Sequence, residues 1–193
     1  MLGTISLLLR GIPFIYQGQE IGMQNAIWKS IDEFNDINTI DQYSIARKAG
    51  LNDTDALAAC SKMSRDNART PMQWDTSAGA GFTTGEPWIK VNPNYQQIYA
   101  ADQLKDPDSV FHYYQKLIRL RKEMDIIVYG EFEALYRDHD QIFAYTRKLA
   151  SEKLLTVCNF SAQEAEMELP ETFAEGAQCL ITNMGRTVFD RKI

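Results

Sequence analysis

Two arginines stand four residues apart in a polar run at 64–74, which reads SRDNARTPMQW. A guanidinium offers five N–H donors and no acceptor, so it is suited to hold hydroxyl oxygens or to orient a carboxylate in a closed pocket. Arg65, Asp66 and Arg69 are the charged candidates of this run, either as ligand contacts or as braces of the local structure. From residue type alone, the alternative that both arginines only brace the loop through ion pairs is the more common case.

Acid–base chemistry by paired carboxyl groups uses one that is protonated and one that is ionised. The acidic candidates are Asp32, Glu33, Asp36 and Asp41. They lie in a polar stretch with a helical pattern, where a solvent-facing surface is more common than a catalytic pair. We therefore expect none of them to be catalytic.

The remaining composition excludes several classes of site. Cys60, Cys158 and Cys179 show no Cys/His ligand spacing and are odd in number, so neither a metal site nor a closed disulfide framework is expected, and a reducing cytoplasm fits. His112 and His139 have no nucleophile or ligand cluster beside them, so no catalytic histidine and no cofactor are expected. The net charge of −6 is spread along the chain, which argues against nucleic acid as a partner. Apolar runs are far shorter than the roughly 20 residues of a membrane span, and no leader pattern occurs at the start.

Periodicity and turn residues predict the elements that position these side chains. Before residue 128 they are a helix over 1–10 ending at Gly11, a buried strand over 11–16, helical pieces over 28–63, an irregular segment over 64–98 and a helix over 108–122 capped by Asp108. A structureless segment as long as 64–98 is usually functional. After residue 128 five strands are predicted, over 132–136, 141–147, 153–160, 165–169 and 177–182.

Residues 64–74, preceded by GIPFIYQGQEIGM at 11–23, resemble the C-terminal third of one branch of glycoside hydrolase family 13. That branch contains oligo-1,6-glucosidase, α-glucosidase, dextran glucosidase and trehalose-6-phosphate hydrolase. The resemblance implies an α/β barrel fragment, with the last strand of a TIM-type barrel and its flanking helices, over 1–127. Within it, 64–98 would be a long active-site loop. A small antiparallel β-sheet domain without its last strand would follow over 128–193.

The resemblance also implies a function. Relatives release α-linked glucose from the non-reducing ends of oligosaccharides by a retaining, two-carboxylate route. Their nucleophile, acid and stabilising aspartate come from barrel strands 4, 5 and 7, so this chain is expected to hold no catalytic residue and to be inactive alone. Its expected partners are the oligosaccharide substrate and the missing N-terminal barrel portion. The alternative is a non-catalytic carbohydrate-binding or assembly module derived from the family.

Individual roles follow from the same resemblance. Arg65 would be the substrate contact, at the outer hydroxyls of the terminal glucose, with Asp66 beside it, which reverses the preference for a purely bracing role. Arg69 would be a brace that supports Arg65. Asn38 stands where relatives tend to carry Glu near the leaving sugar, so it is expected to influence linkage preference. Three aromatic residues of the loop are expected to pack the loop rather than to stack on sugar rings: Trp74, Phe82 and Trp88.

Overall fold

The computed structural model describes residues 1–173 and 176–183. The chain divides into two compact units, one formed by Met1–Phe14 with Tyr113–Ile193 and the other by Ile15–His112. Its helices are α1 (Leu2–Leu8), α2 (Ile37–Lys48), α3 (Asp53–Ser61), α4 (Ala100–Gln103), α5 (Val110–Glu123) and α6 (Asp125–Tyr129). Its strands are β1 (Glu131–Leu135), β2 (Ile142–Leu149) and β3 (Glu152–Asn159). Within residues 1–173 and 176–183, no helix is long and apolar enough to cross a membrane.

The first unit is built on a three-stranded antiparallel sheet in the order β1-β2-β3. Successive residues of a strand face opposite sides, so β2 contributes to two separate cores. Tyr145 packs with α1, α5 and α6, whereas Ala144 packs on the other face with Met167. The larger core is formed by Leu7, Leu8, Tyr114, Leu117, Ile126, Ile127 and Tyr145.

The second unit has a small aromatic core beside its irregular segment. Trp28 and Phe34 stack with ring centroids 4.2 Å apart, and Ile89 of the irregular segment packs against them. Between α3 and α4 the chain forms only short 3-10 turns, at Arg65–Arg69, Ala78–Gly81 and Pro93–Gln96. The prediction of a long irregular segment over 64–98 is therefore confirmed.

The buried strand predicted over 11–16 is wrong. No strand is assigned there, and the side chains of Ile12 and Phe14 are 84% and 86% exposed. A run of apolar residues becomes a strand only when a neighbouring strand supplies hydrogen bonds, and within the described residues this run has no such neighbour.

Two helix ends also differ from the prediction. The first helix ends at Leu8, and Leu9 is already extended, so Gly11 does not cap it. Asp108 is not the cap of α5 either, because the N–H of His112 donates to the hydroxyl of Ser109 at 3.3 Å. A capping side chain bonds the N–H three residues on, which makes Ser109 the cap of a helix that begins at Val110.

The first three predicted strands after residue 128 are confirmed, but the last two are wrong. Residues 165–169 contribute one bridge position, and residues 177–182 form no strand. Met167 is 4% exposed, so its apolar character is satisfied by packing on Ile142 and Ala144 without a strand ladder. The chain end on which the missing last strand was predicted, 184–193, lies outside the described residues.

Candidate functional site

Arg65 is fixed to Asp36 through both its backbone and its side chain. Its backbone N–H donates to Asp36 Oδ2 at 3.1 Å, and its Nε and Nη2 donate to Oδ1 at 3.0 Å and 2.5 Å. Arg65 begins the 3-10 turn that ends at Arg69, and the hydroxyl of Ser64 caps this turn by accepting from the N–H of Asp66 at 3.2 Å. The guanidinium is therefore held in one orientation relative to its own backbone.

Asp36 immediately precedes α2, and its side chain is 1% exposed. The hydrogen bond from Arg65 holds the pKa of this carboxyl well below its usual range, outweighing the opposite effect of burial, and the hydroxyl of Thr39 adds a bond to Oδ2 at 3.0 Å. The same pair raises the pKa of Arg65. The expectation that Asp36 faces solvent is wrong, and sequence spacing gave no signal of a partner 29 residues away.

In the Asp36–Arg65 pair the carboxylate is buried and the guanidinium is exposed. The side chain of Arg65 is 62% exposed, in contrast to the buried carboxylate that anchors it. Because Nε and Nη2 are turned to Asp36, Nη1 is the guanidinium nitrogen left outside the pair. An anchored and exposed guanidinium can donate to hydroxyl or anionic oxygens without first becoming ordered, which lowers the entropic cost of binding.

Asp66 lies wholly inside the protein, with a side chain that is 0% exposed. Its Oδ2 accepts from the backbone N–H groups of Asn35 and Asp36 at 2.7 Å and 2.9 Å, and its Oδ1 accepts from Arg69 Nη1 at 3.1 Å. These bonds hold the backbone that carries Asp36, so Asp66 positions Arg65 indirectly. Direct contact between Asp66 and a substrate stays a prediction.

Arg69 makes the contacts that a brace would make. Its guanidinium donates to Asp66 and lies 5.9 Å from the ring centroid of Trp88, and its side chain is 31% exposed. It therefore connects the 3-10 turn to a later part of the same irregular segment. A role of Arg69 in substrate binding is not tested by these contacts.

Asn67 is a structural residue of this site that sequence reasoning missed. Its Oδ1 accepts from the backbone N–H of Ala26 at 3.2 Å and from Nε1 of Trp28 at 2.8 Å. Its Nδ2 donates to the carbonyl of Ser61 at 2.7 Å. Each of the four polar side chains in RDNAR thus contacts a segment outside the run, and the polar character of the run was the only signal available.

The aromatic residues of the irregular segment are more exposed than expected. Trp74 and Phe82 are each 51% exposed and Trp88 is 69% exposed, so the expectation that they pack the loop is wrong for much of their surface. The tryptophan that does pack is Trp28, which is 8% exposed and also lies under the ammonium of Lys90 at 4.6 Å.

Asn38 is exposed on α2, two residues after Asp36, and lines a small cavity of about 320 Å³ with residues of α2 and α3. A larger cavity of about 750 Å³ lies in the first unit, lined by residues such as Thr4, Tyr113, Thr156 and Cys158 and by none of the predicted site residues. Asn38 lies two residues after Asp36, the carboxylate that anchors Arg65, and on the same helix as Thr39.

The two buried carboxylates of the site are not free for acid–base chemistry. Each oxygen of Asp36 and of Asp66 accepts at least one hydrogen bond from the protein. Asp32 and Asp41 are exposed, and Glu33 accepts from Lys90 at 2.8 Å. Within the part of the chain that the structure describes, no cluster of three or more His, Cys, Asp or Glu side chains is placed to hold a metal ion.

Comparison with protein families assigns both parts of the chain. Residues 1–130 match the family described as alpha amylase, catalytic domain, and residues 132–191 match the one described as maltogenic amylase, C-terminal domain. The oligo-1,6-glucosidase of Bacillus cereus is 48% identical over 172 residues, which cover 89% of this chain and 31% of that protein. The trehalose-6-phosphate hydrolase of Bacillus subtilis (strain 168) is 43% identical over 186 residues, covering 95% and 33%. The chain thus spans about a third of the length of the curated relatives it matches.

Solved structures agree. The crystal structure of Bacillus licheniformis trehalose-6-phosphate hydrolase superposes with a TM-score of 0.93 at 40% identity, over 100% of this chain and 35% of that one. The isomaltulose synthase of Protaminobacter rubrum gives a TM-score of 0.83 at 46% identity, over 88% and 31%. The predicted family and fold class, part of an amylase-type α/β barrel followed by a small antiparallel sheet, are confirmed.

Proposed function

The chain belongs to the alpha-amylase family, and on that premise we propose that it supplies the Arg65 wall of the glucose pocket in an α-glucosidase of the oligo-1,6-glucosidase type. The whole enzyme would hydrolyse α-linked glucose from the non-reducing ends of oligosaccharides. The names of the relatives support this assignment, since they include oligo-1,6-glucosidases and trehalose-6-phosphate hydrolases.

The observation that carries the proposal is the anchored, exposed guanidinium of Arg65. A sugar ring carries several hydroxyl groups, and each hydroxyl oxygen can accept from a charged N–H donor. Such a hydrogen bond contributes about 1.5–3 kcal/mol. Asp36 holds Nε and Nη2, so Nη1 is the donor assigned to the substrate. Asp66 and Arg69 keep this arrangement in place, and Asn38 is assigned an influence on the linkage that is cleaved.

The chain on its own is proposed to be inactive. Retaining hydrolysis requires one carboxyl group as acid and a second as nucleophile. The buried carboxylates of Asp36 and Asp66 are engaged by Arg65, Arg69 and backbone N–H groups, which leaves them unsuited to either role. The proposed chemistry needs neither a metal nor a cofactor from this chain. Three free cysteines support a cytoplasmic location.

A chimeric enzyme tests the role of Arg65. In it, this chain replaces the 172 aligned residues of the Bacillus cereus oligo-1,6-glucosidase, and release of glucose from isomaltose is measured. Arg65→Lys should lower kcat/KM about 10–100-fold, the loss of one charged hydrogen bond. Arg47→Ala is the matched control, because Arg47 is an exposed arginine of α2 bonded to the carbonyl of Leu51.

Two results would contradict the proposal. An active chimera whose kcat/KM is the same with Arg65→Lys as with Arg65 would remove Arg65 from the substrate site. Release of glucose by the purified 193-residue chain alone, at the rate of the chimera, would show that the catalytic groups lie within it. Sugar-dependent stabilisation of the isolated chain without any hydrolysis would instead favour the non-catalytic binding module.

A further inference from the structure

Trp88 is the most exposed of the chain's three tryptophans, yet the backbone that carries it is held firmly. The next residue, Ile89, is 2% exposed within the aromatic core of the second unit. The ammonium of Lys90 donates to the carbonyl of Ile27 at 2.6 Å and to the carboxylate of Glu33 at 2.8 Å. Folding therefore fixes the indole at one place on the surface, so a ligand that packs on it does not have to order that segment first.

The indole ring also has a fixed neighbour. The guanidinium of Arg69 lies 5.9 Å from its centroid, within the range of a cation–π attraction. Arg69 is itself held, because its Nη1 donates at 3.1 Å to Asp66, whose side chain is fully buried. The ring thus lies beside a positioned cation while 69% of the residue's surface stays open to solvent.

The same contacts connect Trp88 to the guanidinium assigned to the substrate. Asp66, which accepts from Arg69, also accepts from the backbone N–H of Asp36 at 2.9 Å. The carboxylate of Asp36 in turn anchors Arg65. An exposed indole and an exposed guanidinium therefore belong to one network of side chains within the second unit.

This pair of groups matches the two kinds of surface on a pyranose. The hydroxyl oxygens at the edge of a sugar ring accept from N–H donors, whereas its C–H faces are apolar and pack well on a flat aromatic ring. Ligand sites typically combine aromatic side chains with a small number of positioned polar groups. An exposed tryptophan needs no such explanation when it stands alone, but Trp88 is positioned and connected to a donor.

We propose that Trp88 stacks on a sugar ring on the reducing-end side of the cleaved bond and so determines the preference for oligosaccharide length. The proposal rests on the assignment of the terminal glucose to Arg65. No ring lies beyond the non-reducing end, so a second ring that contacts this chain must lie on the other side of the bond.

Kinetics of the chimeric enzyme described above test this role, with isomaltotriose and methyl α-glucoside as substrates. Trp88→Ala should raise KM for isomaltotriose about 3–10-fold with little change in kcat, because the lost contact is made equally in the ground and transition states. KM for methyl α-glucoside should not change, since its leaving group has no ring. Trp88→Tyr retains a flat aromatic ring and should restore most of the affinity for isomaltotriose.

Saturation-transfer NMR of isomaltotriose with the purified 193-residue chain makes the same comparison without turnover. Trp88→Ala should lower the transfer to the sugar about threefold or more. Trp74→Ala is the matched control, because Trp74 is 51% exposed in the same irregular segment, and it should leave the transfer unchanged. Thermal unfolding of each variant checks that the substitutions do not unfold the chain.

Three results would overturn the proposal: a KM for isomaltotriose that Trp88→Ala leaves unchanged, an equal rise in KM for both substrates, or saturation transfer that Trp88→Ala does not reduce. Failure of the proposed function has a different signature. An active chimera that is insensitive to Arg65→Lys, but whose KM for isomaltotriose alone rises with Trp88→Ala, would remove Arg65 from the glucose pocket and leave the sugar contact of Trp88 intact.

Discussion

Asp36 and Arg65 are hydrogen-bonded to each other, yet the first is 1% exposed and the second 62% exposed. The carboxylate is shielded on all sides by Arg65, Thr39 and the segment that Asp66 holds in place, whereas the guanidinium projects into solvent. This asymmetry separates the two functions of the pair, since one residue supports the local structure and the other is available to a ligand. The stability of the unit should accordingly depend on Asp36 more than on Arg65.

Asp36→Ala should lower the free energy of unfolding by about 1–3 kcal/mol, because it leaves the hydroxyl of Thr39 and the backbone N–H of Arg65 without their acceptor. Urea unfolding monitored by circular dichroism measures the change. Asp41→Ala is the control, because Asp41 is an exposed residue of α2, the helix that Asp36 precedes, and it should change the free energy by less than about 0.5 kcal/mol. Equal effects of the two substitutions would contradict the structural role of Asp36.

Acid should destabilise the wild-type chain more than it destabilises Asp36→Asn. The pKa of Asp36 lies below its ordinary value of 3.8 in the folded chain, so its contribution is present above that pH and is lost as the pH falls further. Below about pH 4 the free energy of unfolding of the wild type, measured by urea unfolding at each pH, should fall by up to about 1.4 kcal/mol per pH unit more than that of Asp36→Asn. Asp75 also has a lowered pKa, through hydrogen bonds from Ser77, but it is present in both proteins and cancels in the difference. If the free energies of unfolding of the two proteins change in parallel between pH 2 and 5, the Asp36–Arg65 pair does not persist in solution.

Asn67→Asp should destabilise the chain by about 1–3 kcal/mol, although the two side chains have nearly the same shape. The new oxygen would replace the Nδ2 donor and face the carbonyl of Ser61, at a position now 2.7 Å from it. Asn25→Asp is a matched control, since Asn25 also donates to a backbone carbonyl, that of Lys62, but in an exposed setting. Thermal unfolding should show a lower midpoint for Asn67→Asp and little change for Asn25→Asp; the reverse order would exclude the described hydrogen bond.

Gly81→Ala should cost more than Gly79→Ala. Both glycines have positive φ, 66° and 69°, so both substitutions carry a backbone cost of about 1–2 kcal/mol. Only at Gly81 would the new Cβ also meet another group, the carboxylate of Asp75 at 2.7 Å, whereas at Gly79 the nearest atom is a methyl of Thr83 at 3.6 Å. Urea midpoints of the two variants measure the difference directly, and equal midpoints would show that Asp75 moves aside freely.

Local pattern was sufficient to predict much of the fold. Helical spacing located α5, alternation located β1 to β3, and the density of Pro and Gly located the irregular segment. Each of these features depends on residues that are close in sequence. The strand predicted over 11–16 failed for the opposite reason, because strand formation depends on hydrogen bonds from a neighbour that local pattern does not reveal.

The site was predictable only in part for the same physical reason. The residue types in RDNAR indicated Arg65 as a donor, but its anchor, Asp36, is 29 positions earlier and looked like a solvent-facing acid. Burial of a carboxylate depends on which cation folds against it, and sequence spacing carries no information on that contact. The exposure of Trp88 was missed likewise, because residue type favours packing and only the tertiary structure decides it.

Arg147 on β2 provides a prediction for the first unit. It is fully buried, and within the described residues its Nε and Nη1 have no hydrogen-bond partner, while Nη2 donates to the carbonyl of Gly130 at 2.5 Å. Burial lowers the pKa of Arg147, and the positive charges of Arg10 and Arg121 lower it further. Replacing buried charged groups by apolar side chains of similar volume is often neutral or stabilising, by about 1–4 kcal/mol.

Arg147→Met should therefore leave the unfolding midpoint in urea unchanged or raise it. Arg147→Lys keeps the positive charge near Arg10 and Arg121 but has a shorter and differently shaped donor group, so it should lower the midpoint. The test is the order of the three urea midpoints. Arg147→Met should have a midpoint equal to or above that of the wild type, and Arg147→Lys should have one below it. A midpoint of Arg147→Met clearly below that of the wild type would contradict this prediction. The hydrogen bonds of Arg147 would then stabilise the chain by more than burial of its charge costs, and Nε and Nη1 would have acceptors in solution.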